Sequence, residues 1–368
     1  MPKKRKNPQR QPKRASKQVV LSSIKQEAKG VLDEVEKREF PRVVMPSRTT
    51  DNIVYDDKVG HYVLGGRKVV RSAGNIRHLK PLSQMVWGLS VARDLLDTEK
   101  TTTLRDVYYM AEGAEGLSFE DQSESDRIIT DIESVLSCSR EDFNVYPEER
   151  SAIFGDVLAE YTVKGYEGKR INLTMHPDGV MVGPALATAE FIETSADKVI
   201  AIEKGAMFSR FVEDQAWKRF HAVLIHTAGQ APRSTRKLIR RLNTELGLPV
   251  YMFADADPWG LHICQVIISG SANAAHISNL VTPKAKWAGV YATDITKYDL
   301  PSTKLTEMDL RRLKEIKRDV RYQRGRWKQE IDYFFKIGKK AEQEAFSKYG
   351  LSFIVDKYLK KRLDELGA

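Results

Sequence analysis

The chain has 368 residues, 41% of them hydrophobic and 30% charged, with a formal net charge of +10. That length allows one to three domains with a real core, and no apolar run approaches the ~18 residues a helical membrane span needs. Two cysteines, Cys138 and Cys264, in unrelated contexts argue against a disulfide framework or a cysteine-rich metal site and fit a reducing compartment.

Residues 1–17, MPKKRKNPQRQPKRASK, hold eight Lys and Arg and no acid, so the other 351 residues carry only about +2. This tail is Pro-rich and polar and is expected to be disordered. Lys3, Lys4, Arg5 and Lys6 make it an electrostatic arm for nucleic acid, although PKKRK also reads as a nuclear address. No apolar core follows the basic start, so no signal peptide is expected. Residues 19–40 have the spacing of an amphipathic helix. Residues 40–70, with β-branched runs, Pro and Gly, read as short strands. Spacing then predicts helices over 82–96, over 102–112 behind a Thr N-cap, and over 124–136. FNVY (143–146) and SAIFGDV (151–157) flank a PEER turn and read as a hairpin. Three helices followed by a hairpin suggest a winged helix-turn-helix, a fold used for DNA and for protein partners alike.

From Asp197 the pattern alternates. DKVIAIE (197–203), HAVLIHT (221–227) and PVYMFAD (249–255) are apolar runs of strand length. Helical runs at 234–246 and 259–269 separate or follow them. That is an α/β layout around a largely parallel, buried sheet. The C-terminus is helical, opening at Thr306-x-x-Asp309 with a capping box.

Two strands end in acid. Glu203 closes the first; Asp255 and Asp257 close the third. Ligand sites in such sheets lie outside the carboxyl ends of the strands, so the three can converge. Oxygen donors without His or Cys suit Mg²⁺. Each acid taken alone reads more readily as a solvated strand end. Arg233 and Arg236, at the start of the helix between them, either meet a DNA phosphate or form a solvated basic face. His226 and His262 read as packing residues rather than ligands.

TTTLRDVYYMAEG (101–113) holds adjacent tyrosines. Leu104, Val107, Tyr108 and Ala111 follow i, i+3, i+4, i+7 and form one apolar stripe. Arg105 and Tyr109 follow i, i+4 on another face. The spacing therefore commits Tyr108 to the core and leaves Tyr109 accessible beside a guanidinium. A free Tyr, with a pKa of about 10, is a poor nucleophile at neutral pH; a nearby cation favours its phenolate. Tyr109 is either such a nucleophile or an ordinary surface aromatic.

Taken together, PSRTTDNIVYD, TTTLRDVYY, FEDQSESDRIITDIE, IEKGAMF, DADPWGLHI, SGSANAAH and the stretch from Trp287 to Asp299 resemble the type IIB topoisomerase family. That family comprises the topoisomerase VI A subunits and the meiotic double-strand-break transesterases. The resemblance implies an N-terminal winged-helix domain followed by a Toprim α/β domain with C-terminal helices. The boundaries expected are a tail over 1–17, a partner-docking extension over 18–72, a winged helix over 73–158 and a Toprim domain over 159–368. It implies Tyr109 as nucleophile with Arg105 as its partner, and Glu203, Asp255 and Asp257 as Mg²⁺ ligands, with Glu203 doubling as acid–base. The family's usual glycine between the aspartates is Ala256 here. Double-stranded DNA, a second copy of the chain and a GHKL-type ATPase B subunit, in an A2B2 assembly, are the implied partners. This sequence has no G-x-x-x-x-G-K-[ST] run, so ATP would bind the B subunit. An archaeal cytoplasmic, nucleoid-associated enzyme is implied, with a nucleus as the alternative.

Overall fold

The computed structural model describes residues 5–6, 17–148 and 150–367. Lys3 and Lys4 lie outside the described residues. Arg5 and Lys6 form β1 (Arg5–Lys6), which pairs antiparallel with Thr194 and Glu193. The chain divides into two units: Arg10–Glu148 with Ser271–Asn279, and Met1–Gln9 with Glu149–Gly270 and Leu280–Ala368.

The first unit begins with α1 (Lys17–Glu36) and two ribbons. β2 (Arg42–Pro46) pairs with β5 (Lys68–Ser72), and β3 (Ile53–Asp56) pairs with β4 (His61–Leu64). α2 (Ile76–Thr98) starts six residues before its predicted position, where the Asn75 side chain accepts from Arg77 N–H. Pro81 is tolerated inside it at the loss of one intrahelical bond. α3 (Leu104–Glu112) and α4 (Gln122–Leu136) follow. Met85, Leu89, Val107, Ala111, Ile128, Ile129 and Ile132 form the core between these helices, with Val43 and Met45 of β2. Gly88 lets α2 and α4 approach, since a Cβ there would stand 2.5 Å from Ile132 Cδ1.

The predicted hairpin at 143–157 does not form. Val145 instead bridges to Thr102 in the first unit, and residues 152–154 join the sheet of the second. A short apolar run reads as a strand locally, but its ladder partners here are the strands Ala222–His226 and Val180–Met181 rather than residues 143–146, and local pattern has no say in that choice. The ribbon that packs on α2 and α4 is β2–β5, which precedes the helices in sequence.

The second unit is built on a six-stranded sheet. β11 (Lys198–Ile202), β12 (Ala222–His226), β13 (Val250–Phe253) and β14 (Lys286–Gly289) run parallel in the order β14-β13-β11-β12. β6 (Ala152–Phe154) and β9 (Val180–Met181) extend the β12 edge antiparallel. The predicted strands are thus present and β14 is additional. Every residue of β11 and β13 is buried, as expected for a parallel sheet covered on both faces. α5 (Pro184–Thr188), α6 (Gly205–Glu213), α7 (Ala216–Arg219), α8 (Arg233–Glu245) and α9 (Pro258–Ser269) lie in its connections. β7 (Val157–Glu160), β8 (Arg170–Asn172) and β10 (Glu190–Thr194) form a second, antiparallel sheet with β1. The C-terminal part holds α10 (Ala292–Lys297), β15 (Thr303–Lys304), α11 (Glu307–Arg318), α12 (Gly325–Ile337), β16 (Lys339–Lys340) and α13 (Lys360–Glu365). Thr306 and Asp309 form the predicted capping box of α11. No helix among the described residues is long and apolar enough to cross a membrane.

Asp131 is the polar tie of the first unit. Its carboxylate, 5% exposed, accepts from Arg48 Nη2 at 2.6 Å and from Arg71 Nη2, joining α4 to β5 and to the chain after β2. Removing one partner of a buried pair leaves uncompensated charge. Asp131→Ala is expected to destabilise this unit by about 3 kcal/mol, read as a lower urea midpoint in circular dichroism, with Asp131→Asn losing less.

Candidate active site

β11 and β13 are neighbours and run parallel, so their carboxyl ends open at the same edge of the sheet. Glu203 follows β11 directly, and Asp255 and Asp257 follow β13 within four residues. Asp255 N–H donates to Glu203 Oε2 at 2.9 Å, which fixes one strand end against the other. Asp257 caps α9: its Oδ1 accepts from Gly260 N–H at 2.6 Å. Only glycine fits at 260, because a Cβ would stand 2.2 Å from the Asp255 carbonyl oxygen. The turn DPWG thereby holds the aspartate in place.

These carboxyls sit in a partly to fully buried, like-charged setting. Burial, then the Asp255 charge, pushes Glu203 up to about 7. Burial also pushes Asp255 up to about 6 and raises Asp257. Three carboxylates held this way repel one another and favour neutral forms unless a cation is present. Oxygen-only donors of this kind match a hard divalent ion. Even so, among the described residues no three Asp, Glu, His or Cys side chains are gathered into a finished ligand set. Their oxygens are engaged elsewhere, on Asp255 N–H, on Gly260 N–H and on two further groups.

Those two groups lie outside the predicted set. Lys204 Nζ is 3.1 Å from Asp255 Oδ2, and it also meets Glu342 at 2.9 Å and Glu344 at 3.0 Å. Gln343 N–H donates to Asp255 Oδ1 at 2.9 Å. Residues 339–344 form a strap beside the site: Ala341 and Ala256 exchange backbone hydrogen bonds in an antiparallel bridge. Lys204 was visible in IEKGAMF as the neighbour of Glu203. The strap acids, about 140 residues downstream, carry no local signal.

Tyr108 and Tyr109 lie on α3. Thr103 and Asp106 close a reciprocal capping box there, with Thr103 Oγ1 accepting from Asp106 N–H at 3.1 Å and Asp106 Oδ2 accepting from Thr103 N–H at 3.1 Å. Those bonds hold the Asp106 carboxyl below its usual range and set where the helix starts, hence which way each residue faces. Val107 and Ala111 are buried, and Leu104 and Tyr108 pack against the same core. Tyr109 is 57% exposed. The Arg105 guanidinium carbon is 6.0 Å from its ring centroid, at the outer limit of a cation–π contact. The Tyr108 ring meets the Tyr109 ring edge-on at 5.5 Å.

The basic residues separate. Arg233 opens α8 and is partly exposed, whereas Arg236 is only 7% exposed, so Arg236 is not a solvated basic face. His226 packs against Phe208, and burial lowers its pKa. His262 packs edge-on against Trp259, and burial pushes it down to about 4.

Because Glu203 ionises near pH 7 folded and near 4.3 unfolded, it opposes folding increasingly as pH rises between those values and then by a constant amount. Glu203→Gln is expected to stabilise the metal-free chain by about 1–3 kcal/mol at pH 7.5 and by almost nothing at pH 4, measured as denaturation midpoints across pH.

Two family models match the chain. One, described as the Toprim domain of the topoisomerase 6 A-subunit/Spo11 family, matches residues 198–363. The other, described as type IIB DNA topoisomerase, matches residues 80–145. The chain is 43% identical to the A subunit of type 2 DNA topoisomerase 6 from Methanothermobacter thermautotrophicus, over 95% of this chain and 98% of that protein. It is 38% identical to the protein of the same name from Archaeoglobus fulgidus, over 92% of this chain and 94% of that one. The corresponding Halobacterium salinarum protein is 36% identical over 91% and 93%. With these matches spanning both the tyrosine helix and the acidic sheet edge, the chain belongs to the topoisomerase VI A-subunit family, the DNA-cleaving subunits of type IIB DNA topoisomerases.

Proposed function

We propose that Tyr109 is the nucleophile of a reversible DNA transesterification. Its phenolic oxygen attacks a backbone phosphorus, a phosphotyrosyl bond to the 5′ phosphate forms, and the bond to the 3′ oxygen breaks. The phenolic proton leaves and the departing 3′ oxygen gains one, so no water and no nucleotide are consumed. Resealing is the same step reversed. The observation that carries this reading is the division of labour on α3: Tyr108 packs against the core, and Tyr109 is presented to solvent beside Arg105. Arg105 supplies positive charge near the phenolic oxygen as it becomes anionic and near the phosphate under attack.

Glu203, Asp255 and Asp257 are the residues that would hold Mg²⁺. When bound, the ion would supply positive charge to the phosphate oxygens during exchange. Glu203, held near neutrality by its surroundings, is placed to hold or release a proton at Oε1 or Oε2. Recognition of double-stranded DNA falls to α2, α3 and α4, and Arg233 with the basic tail adds phosphate contacts. Two strands of a duplex need two tyrosines, so the working form contains two copies of the chain. Directed duplex passage needs ATP, and this sequence contains no Walker-type loop. A GHKL-type B subunit in an A2B2 assembly supplies that hydrolysis, docked through residues 19–45. The chain acts in an archaeal cytoplasm, at the nucleoid.

The test is covalent trapping. The chain, an ATPase partner, Mg²⁺ and an ATP analogue are mixed with end-labelled supercoiled DNA and quenched with denaturant. Tyr109→Phe is expected to lose protein-linked 5′ ends by at least about 10³-fold, and Tyr108→Phe to keep them within a few-fold. Cleavage that survives Tyr109→Phe would mark a metal-dependent nuclease instead. Trapped breaks that never reseal after Mg²⁺ is chelated would mark a break-forming transesterase.

A further inference from the structure

The acidic edge of the sheet already contains a cation of the chain's own. Lys204 follows Glu203 in sequence, and its ammonium has three carboxylate neighbours: Asp255 inside the site at 3.1 Å, and Glu342 and Glu344 on the strap at 2.9 and 3.0 Å. The acceptors differ in exposure. The Asp255 side chain is 8% exposed, against 73% for Glu342 and 39% for Glu344. The strap is held close by the Ala256–Ala341 bridge and by Gln343 N–H on Asp255.

We propose that Lys204 is an internal counterion that competes with a divalent cation for Asp255 and transfers to Glu342 and Glu344 when that cation enters. The proposal rests on the reading that Glu203, Asp255 and Asp257 hold a divalent ion. In the metal-free chain the ammonium offsets the most buried of the charges that otherwise repel one another. A doubly charged ion arriving at the same oxygens repels the ammonium. The strap holds two acceptors already within contact distance, so the ammonium gives up Asp255 and keeps both of them. A flexible four-carbon stem with three donors suits such a move, whereas a planar guanidinium would hold Asp255 two-pronged. No covalent bond changes. Lys204 is thus a positioning residue that sets how tightly the site takes its ion.

The experiment is calorimetric titration of the full-length chain with Mn²⁺ at low ionic strength, paired with thermal melts with and without Mn²⁺. Lys204→Met is expected to bind Mn²⁺ roughly tenfold tighter, while its metal-free form melts lower than wild type. The double variant Glu342→Gln/Glu344→Gln is expected to bind several-fold weaker, because the ammonium then has nowhere to go but Asp255. A purely structural lysine would give the opposite sign for Lys204→Met, since a loosened site binds less well. Equal or weaker binding by a folded Lys204→Met protein overturns the proposal and leaves the carboxylate reading intact. Should Lys204→Met not fold, the double variant decides alone: weaker binding supports the proposal and unchanged binding overturns it. If wild type and Lys204→Met both fail to bind Mn²⁺, the carboxylate reading falls and the proposal falls with it.

Discussion

The structure of the second unit turns on one electrostatic conflict. A parallel sheet buried on both faces ends two neighbouring strands at the same edge, and both end in acid. Backbone hydrogen bonds force the convergence: Asp255 N–H reaches Glu203, Gln343 N–H reaches Asp255, and Gly260 N–H reaches Asp257. Each bond steadies a carboxylate, yet together they concentrate like charge at one partly buried edge. Such an arrangement is unfavourable in isolation and persists because the fold around it is over-determined. Ala256 carries the point. It is fully buried between the two aspartates and bridged to Ala341, so a residue of another shape there would shift both acids and the strap at once.

The tyrosine helix solves a different problem with local means. A nine-residue helix has only two and a half turns in which to present one tyrosine and pack the other. A displacement of its first residue by one position would rotate both by about 100°. The Thr103–Asp106 box removes that freedom. Orientation is then inherited: Val107 and Ala111 take the core, Tyr108 follows at its margin, and Tyr109 is left with Arg105 on the opposite side.

Those two features differ in how far the sequence discloses them. Helix phase is local, so the packing of Tyr108 and the exposure of Tyr109 could be read from spacing alone, as could the box at Thr306. Strand ends are nearly local, because an apolar run terminating in acid marks its own boundary; Glu203, Asp255 and Asp257 were legible for that reason. Pairing between distant segments was not. Residues 152–154 satisfy the pattern of a hairpin arm, yet their partners are β12 and β9, chosen by the whole sheet. β14, with its Lys-Trp-Ala-Gly composition, lacks the β-branched run that marks a strand and is defined by its neighbour β13. Lys204 and the strap acids fall in the same category. A lysine beside a glutamate has no address until a segment about 140 residues later supplies the other half of its ion pairs.

In the proposed transesterification, exchanging a phosphodiester for a phosphotyrosine leaves little free-energy difference to exploit, so the chain's task there would be to lower one barrier in both directions. On that reading, Tyr109 beside Arg105 and the carboxylates with their cation would act equally on forward and reverse attack, because both pass through the same charge distribution. A site built for hydrolysis would instead need an oriented water and a base to drive the reaction one way. The proposed movement of the Lys204 ammonium between neighbouring carboxylates would rebalance charge without an external proton, as a cycle that returns to its starting state requires.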